Sequence, residues 1–297
     1  MSATPTPEIV APSPVGTDIA RASIPRVYDY SLGGKDNYAV DREALGTVLQ
    51  VAPGQREVSL ANRRWQHRVV RYLAEQVGLE QFLDIGAGLP RVGNTHEIAQ
   101  LGNPRTTVVY VDNDPVCAAH GRALLERNER THYVLADFLD AGTLLGNPAV
   151  TQYFELDRPI GVLACGVLQH IGDDLDPAGV MGELIDRLPV GSYVAVSHFY
   201  DQGEEHPEIH RVARDLEAAF TDGVGSGWYR TREEILEFLT GLEVEPPGLV
   251  ELDDWWPLGP PKPECERSPE ERTMRGGLGC KRPPLLRLAR ARRGAAD

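Results

Sequence analysis

The chain has 297 residues, of which 41% are hydrophobic and 25% charged, a balance that lets most of it bury a core. Its 44 acidic residues outnumber 30 basic ones, for a formal net charge of -14, which repels phosphate backbones and argues against nucleic-acid binding. No apolar run is long enough for a bilayer, the N-terminus lacks a signal-peptide core, and Cys117, Cys165, Cys265 and Cys280 form neither a CxxC pair nor a Cys/His cluster; a membrane span, a disulfide framework and a bound metal are all disfavoured, and a cytoplasmic location is expected.

Residues 1–17 carry four prolines among small and polar residues and read as a disordered leader. Helical spacing runs from Ala61 to Gln76, with Gly78 as its stop. Gln81–Ile85 reads as a short strand, Thr106–Val111 as a buried β-branched strand, and Pro115–Asn128 as a helix opened by proline. His132–Leu135, Ile160–Ala164 and Tyr193–Ser197 read as three further strands, with a helix clearest at Ala178–Leu188. Glu233–Thr240 reads as a late helix stopped by Gly241. Two strand-like stretches follow, near Glu243–Glu245 and Leu249–Leu252, around Pro246-Pro247-Gly248. Residues 257–297 read as a Pro/Gly-rich and then basic extension, with Arg287, Arg290, Arg292 and Arg293 near its end. Five strand–helix alternations predict an α/β fold with a doubly wound, mostly parallel sheet, finished by an antiparallel edge hairpin. Ligands in such sheets bind beyond the carboxyl ends of the strands, so the residues there carry the functional argument.

After the first strand comes Asp84-Ile85-Gly86-Ala87-Gly88. Gly86 and Gly88 permit a tight turn and close approach of backbone to a ligand. A dinucleotide fingerprint needs Gly or Ala at position 91, where the sequence has Arg91. That counts against NAD or FAD, and Asp84 before the glycines favours a cation. After the second strand, Asp112 can accept both hydroxyls of a ribose or simply end the strand, and Asp114 caps the helix that Pro115 begins. After the third, Asp137 can accept from an exocyclic amine and Phe138 can face a purine, or the two are a loop carboxylate and a core ring. After the fourth, Cys165-Gly166 again lets backbone approach a ligand, and His170 is a candidate base. After the fifth, His198, Phe199 and Tyr200 are candidates for a substrate mouth. No D-P-P-Y or N-P-P-Y follows the fourth strand, unlike the amino-methyltransferases that act on nucleic-acid bases or glutamine.

Taken together, acid–Gly–x–Gly, then acid, then Asp-Phe after successive strands resembles the class I S-adenosylmethionine-dependent methyltransferases. Their Rossmann-like fold is a seven-stranded sheet with an antiparallel last strand. Ala20–Asp41 (ARASIPRVYDYSLGGKDNYAVD), FLDIGAGLPRVGNTHEIAQ, VVYVDNDPV, ACGVLQHIGDD and TREEILEFLTGLEVEPPGLVEL resemble an actinobacterial methyltransferase family formerly described as a domain of unknown function. The likeness covers about residues 18–281. It departs at Gly277–Lys281, GLGCK, where members tend toward Gly-Val-Gly-Arg, which leaves the role of that segment open. The resemblance implies residues 18–60 as a helical lid, 61–256 as the methyltransferase domain, and S-adenosylmethionine as cofactor. It also implies roles: Asp84 near the methionine ammonium, Gly86, Gly88, Cys165 and Gly166 for backbone approach, Asp112 on the ribose, and Asp137 on the adenine amine with Phe138 or Asn113 against the ring. Tyr28, Tyr30, Gly33, Gly34 and Lys35 would form the lid. His170, His198, Tyr28 and Tyr30 are candidate bases, needed only for a hydroxyl or thiol acceptor. The expected substrate is a small molecule. The alternatives are a non-catalytic binder of the same cofactor and, against Arg91, a nicotinamide oxidoreductase.

Overall fold

Five short segments rich in Val, Leu and Ile form the parallel part of the sheet: Gln81–Ile85 (β1), Thr107–Asp112 (β2), Thr131–Leu135 (β3), Gly161–Cys165 (β4) and Tyr193–Phe199 (β5). The computed structural model describes residues 18–139, 144–256 and 262–283. The leader at 1–17, Asp140, Pro257, Pro260 and Pro261, and the arginines from Arg287 onward lie outside the described residues. β1 and β5 are buried at every position, as expected where helices cover both faces of a sheet.

Side chains alternate across the sheet. Phe82 joins one apolar layer, with Trp65 and Val69, and Leu83 joins the other, with Met181 and Leu184. The first layer is closed by Ala39–Val51 (α2), Gln55–Arg71 (α3), Thr95–Gly102 (α4), Pro115–Leu125 (α5) and Pro207–Val224 (α8). The second is closed chiefly by Pro177–Arg187 (α7) and Arg232–Glu237 (α9). A one-turn helix, Pro148–Thr151 (α6), lies between β3 and β4. Full burial of one such ring or branched side chain contributes about 1.5–3 kcal/mol. α3 passes into a π-helical turn at Tyr72–Val77 and stops at Gly78, whose φ is 80°.

The strand order is β3-β2-β1-β4-β5, continued by Met274–Cys280 (β8) and Glu243–Val244 (β6). It reverses between β1 and β4, so the crevice at their carboxyl ends is the expected ligand position. The mostly parallel sheet with antiparallel strands at one end agrees with the sequence reading, but among the described residues it has eight strands rather than seven, and the late hairpin needs correction. Glu243–Val244 (β6) and Val250–Glu251 (β7) do not pair with each other. Both pair with Met274–Cys280 (β8), which also runs antiparallel to β5. β8 lies in the segment read as an extension, and it contains all but the last residue of the GLGCK departure. Three glycines in MRGGLGC hide it from strand propensity. A Cβ at Gly276 would stand 2.4 Å from Trp65 Cε2, and one at Gly279 would stand 2.8 Å from Leu242. Glycine therefore lets α3 and the β6 side press directly onto the strand.

Residues 18–60 carry Ile24–Ser31 (α1), α2 and the start of α3. Asp41 joins them. Its Oδ2 lies 2.8 Å from Arg26 Nε and accepts from the Tyr38 N–H, and its Oδ1 accepts from the Ser23 N–H. Both side chains of the Arg26–Asp41 ion pair are buried.

Candidate functional site

A cleft of about 450 Å³ opens at the carboxyl ends of β1 to β5 and is covered by α1. Its size is that of an ordinary small-ligand site. Gly86 and Gly88 turn the chain out of β1 with φ of 62° and 67°. A Cβ at Gly86 would stand 2.4 Å from Val167, so the turn and the loop after β4 pack backbone against side chain.

Three strand ends deliver carboxylates to this cleft. Asp84, the fourth residue of β1, is buried; its Oδ2 accepts from Thr95 Oγ1 at 2.6 Å and Gln66 Nε2 at 3.3 Å. Burial pushes its carboxyl up to about 6, against the hydrogen bond from Thr95. Asp112 ends β2. Its Oδ2 accepts from the Gly88 N–H at 2.8 Å and its Oδ1 from the Asp114 N–H at 2.9 Å. Burial raises its pKa too, opposed by these backbone donors. Asp137, exposed beyond β3, meets Asn113 Nδ2 at 3.5 Å, and Phe138 turns inward beside it. Cys165 and Gly166 complete this wall after β4. Asp114 caps α5 as the sequence predicts, accepting from the Val116 N–H.

The candidate bases separate. His170 lines the cleft, with Nδ1 3.0 Å from Ser226 Oγ and its ring edge-on to Phe199 and Phe220. Burial lowers its pKa to about 4. His198 does not reach the cleft. It is fully buried, with Nε2 2.8 Å from Arg230 Nη1 and its ring stacked on Phe238. In a strand buried on both faces, alternate residues point away from the mouth, and His198 is one of these while Phe199 faces the cleft. Tyr30 is also displaced: its ring lies under the Arg56 guanidinium, 4.7 Å away, and takes no part in the cleft wall.

The N-terminal signature divides in the same way. Tyr28 lines the cleft; its hydroxyl donates to the Ser59 carbonyl and accepts from Asn62 Nδ2, each at 3.2 Å. Gly33, Gly34 and Lys35 do not line it. Gly34 instead makes room for the ion pair of buried Asp29 with half-buried Arg91, since a Cβ there would fall 1.9 Å from Asp29 Oδ1 and 2.0 Å from Arg91 Nη1. Arg91 is the residue that breaks the dinucleotide fingerprint. Its Nη1 meets Asp29 at 2.7 Å and its Nη2 the Leu32 carbonyl at 2.9 Å. The same residue thus ties the glycine turn to α1.

Sequence reasoning missed a face of α3. Gln55, Ser59, Asn62 and Gln66 are all buried and all line the cleft. Their i, i+4, i+7, i+11 spacing is a signal that could have found them, polar where the alternate face is apolar. It missed Phe220 and Met274 as well, which come to the cleft from α8 and β8. Among the described residues no group of His, Cys, Asp and Glu side chains is set to hold a metal ion, and no helix is long and apolar enough to cross a membrane.

Residues 11–282 match the family model described as S-adenosyl methyltransferase. The crystal structure of a proposed methyltransferase from Thermobifida fusca YX is 37% identical, covers 91% of this chain and 98% of its own, and superposes with a TM-score of 0.84. A DUF574 family protein from Streptomyces avermitilis is 33% identical over 90% of this chain and 99% of its own, with a TM-score of 0.80. None of the curated proteins matches the chain. With the family model spanning nearly all of the sheet and cleft, the chain belongs to the S-adenosyl methyltransferase family, whose cofactor is S-adenosylmethionine.

Proposed function

We propose that the protein transfers the methyl group of S-adenosylmethionine to a small-molecule acceptor held in the part of the cleft walled by β4, β5, α2 and α8. The observation that carries this reading is the division of the cleft. Carboxylates come to it from β1, β2 and the turn after β3, whereas no Asp, Glu, Lys or Arg from α2, β4, β5, α8 or β8 lines it among the described residues. One half suits a polar nucleoside and an amino acid, and the other an uncharged guest.

The residues present fit the cofactor. Asp84 would face the methionine ammonium, as a buried carboxylate with protein donors on only one oxygen. Asp112 would take the ribose hydroxyls on the lone pairs left over by the two backbone N–H groups. Asp137 and Asn113 would meet the adenine amine, with Phe138 against the ring. Gly86, Gly88, Cys165 and Gly166 would let backbone come close. When bound, the cofactor supplies an electrophilic methyl group on a positively charged sulfur.

The side chains near the acceptor act by positioning more than by proton transfer. His170, with a pKa near 4, is a weak base at neutral pH. Tyr28 keeps its proton, because burial raises its pKa and its hydroxyl already donates to Ser59. This favours an acceptor whose nucleophile has a free lone pair, or one that releases its proton to water.

The test is transfer of radiolabel from methyl-labelled S-adenosylmethionine to a library of small molecules, with S-adenosylhomocysteine release as the second readout. Turnover on one or more acceptors supports the reading. Tight S-adenosylhomocysteine binding without turnover on any acceptor supports the non-catalytic alternative instead.

A further inference from the structure

The polar face of α3 runs along the cleft from the glycine turn to its far end. Gln66 reaches Asp84. Asn62, one turn earlier, accepts from Ser197 Oγ at 2.6 Å and donates to Tyr28. Ser59 donates its hydroxyl to the Gln55 carbonyl. Gln55, at the end of the row, is 3% exposed, and its Oε1 has no hydrogen-bond partner. At 1.5 Å per residue, Gln55 and Gln66 lie about 16 Å apart along the helix. That separates the group near Asp84 from a second position too distant to serve it.

A second buried orphan borders the same cleft. Gln169, in the loop after β4, is also 3% exposed and lines the cleft, and its Oε1 is again without a partner. A Cβ on Gly166 would stand 3.0 Å from Asn62 Nδ2 and 3.4 Å from Gln169 Nε2, so the α3 row and the β4 loop converge there. Apolar side chains line the same lobe, Leu45, Phe199, Phe220 and Met274, with His170 edge-on to both rings and paired with Ser226. Phe199 and Met274 are register partners on β5 and β8, and Phe199 lies against Phe220 with centroids 5.2 Å apart. A buried carbonyl oxygen left unpaired is costly, and a half-turn of the carboxamide about its last torsion would present that oxygen to a ligand N–H or O–H and remove the cost.

We propose that the acceptor is an uncharged, flat ring molecule bearing an N–H or O–H donor, and that Gln55 and Gln169 are the residues that select it. Phe199 and Phe220 supply apolar faces for the ring, and the two carboxamides supply acceptors for its edge. A carboxylate or phosphate on the acceptor is disfavoured, because among the described residues no Lys or Arg of α2, β4, β5, α8 or β8 lines the cleft, and the two arginines that do line it are committed elsewhere, Arg63 to Gln66 and the Gly93 carbonyl and Arg91 to Asp29. The inference rests on the methyltransferase reading of the cleft.

The test uses the full chain saturated with S-adenosylhomocysteine and titrated, by ligand-observed NMR and calorimetry, with two matched sets of probes. One set is indole, N-methylindole and indole carboxylate; the other is naphthol, methoxynaphthalene and naphthoate. The donor-bearing neutral member of each set should bind at least about tenfold more tightly than its methylated or charged counterpart, because a site built for a donor leaves buried acceptors unpaired without one. In Gln55→Leu and Gln169→Leu, and in the double variant, that gap should shrink toward about threefold while affinity for S-adenosylhomocysteine holds. Equal affinities within each set for the wild-type protein, tighter binding of the carboxylates, or no binding of either neutral donor at millimolar concentration overturns the proposal, and none of these requires a variant to fold. Failure of S-adenosylhomocysteine to bind in the first titration would instead sink the underlying functional reading.

Discussion

The Arg91 guanidinium bridges two segments: one nitrogen lies 2.7 Å from Oδ1 of Asp29, and the other lies 2.9 Å from the Leu32 carbonyl. Asp29 is fully buried and also accepts from the Asp36 N–H and Asn37 Nδ2. The glycine turn after β1 and the helix that covers the cleft are thus held by one planar, two-pronged cation, a geometry that lysine does not reproduce.

If this bridge holds the cover down, Arg91→Met should loosen α1 without unfolding the domain, since the Arg26–Asp41 pair still fastens α1 to α2. Loss of two charge-assisted hydrogen bonds, about 1.5–3 kcal/mol each before compensation, should weaken S-adenosylhomocysteine binding by at least about tenfold. Hydrogen exchange across residues 24–37 should quicken in the variant and, in the wild type, slow on adding S-adenosylhomocysteine. Identical exchange with and without ligand would make α1 a permanent wall and not a lid.

Asp112 offers a sharper test than alanine alone gives. Asp112→Ala removes the ribose acceptor but also strips the Gly88 and Asp114 N–H groups of their partner, so it should cost both affinity and stability. Asp112→Asn keeps one acceptor oxygen. Its thermal midpoint should fall less than that of the alanine variant, while S-adenosylhomocysteine affinity still drops by about tenfold or more. Retained affinity in Asp112→Asn would reject the ribose assignment.

Asp84 should separate stability from binding by pH. Its folded pKa, about 6, lies above the usual 3.8 because the carboxyl is buried. Between those values the native state binds more protons than the unfolded chain. Ionisation of Asp84 therefore removes stability as pH rises from about 4 to about 6, by up to about 3 kcal/mol. Asp84→Asn should accordingly be more stable than wild type at pH 8 and close to it at pH 4, by urea unfolding. If the ionised carboxylate faces the methionine ammonium, wild-type affinity for S-adenosylhomocysteine should weaken as pH falls below about 6, and the variant should bind weakly at every pH. A pH-independent wild-type affinity would remove Asp84 from the amino-acid end of the site.

The parts of this fold that a one-dimensional pattern carries are those fixed by local chemistry. β1 to β5 are short apolar runs with a Gly or Asp at the last position or within two residues after it, and the ends of β1 to β3 bring carboxylates to the cleft. What the pattern hid depends on contacts distant in sequence. β8 reads as a glycine-rich loop until Trp65 and Leu242 are seen pressing on it. Arg91 reads only as a missing glycine until Asp29 is found opposite. Tyr30 and His198 carry suggestive chemistry, but the phase of a helix and of a strand turns them away from the cleft, and no local rule reports that phase.

The close approach at β8 predicts a large penalty for a small change. Gly276→Val would force a branched side chain into the Trp65 indole, whose own ring is fully buried and edge-on to Trp255 at 6.1 Å. Overpacking of this kind costs about 1–3 kcal/mol or more, and the thermal midpoint should drop by several degrees, about 2–4 °C per kcal/mol for a domain of this size. Gly46→Ala, on α2 with open space at its Cβ position, is the control and should be neutral or mildly stabilising. A Gly276→Val protein as stable as that control would mean that Trp65 can move aside.

The strand order also sets a timetable. β5 is seven residues long and wholly buried, yet one of its two neighbours, β8, is made only after a further stretch of about 75 residues. At a synthesis rate of about 5–20 residues per second, that edge waits several seconds on the ribosome with its hydrogen-bonding groups unpaired. During that interval the nascent chain holds Asp84, Asp112 and Asp137 but lacks Met274, which lines the same cleft. The vulnerable moment in this protein's life is therefore late in translation, when an almost complete sheet offers its longest apolar strand to any passing partner.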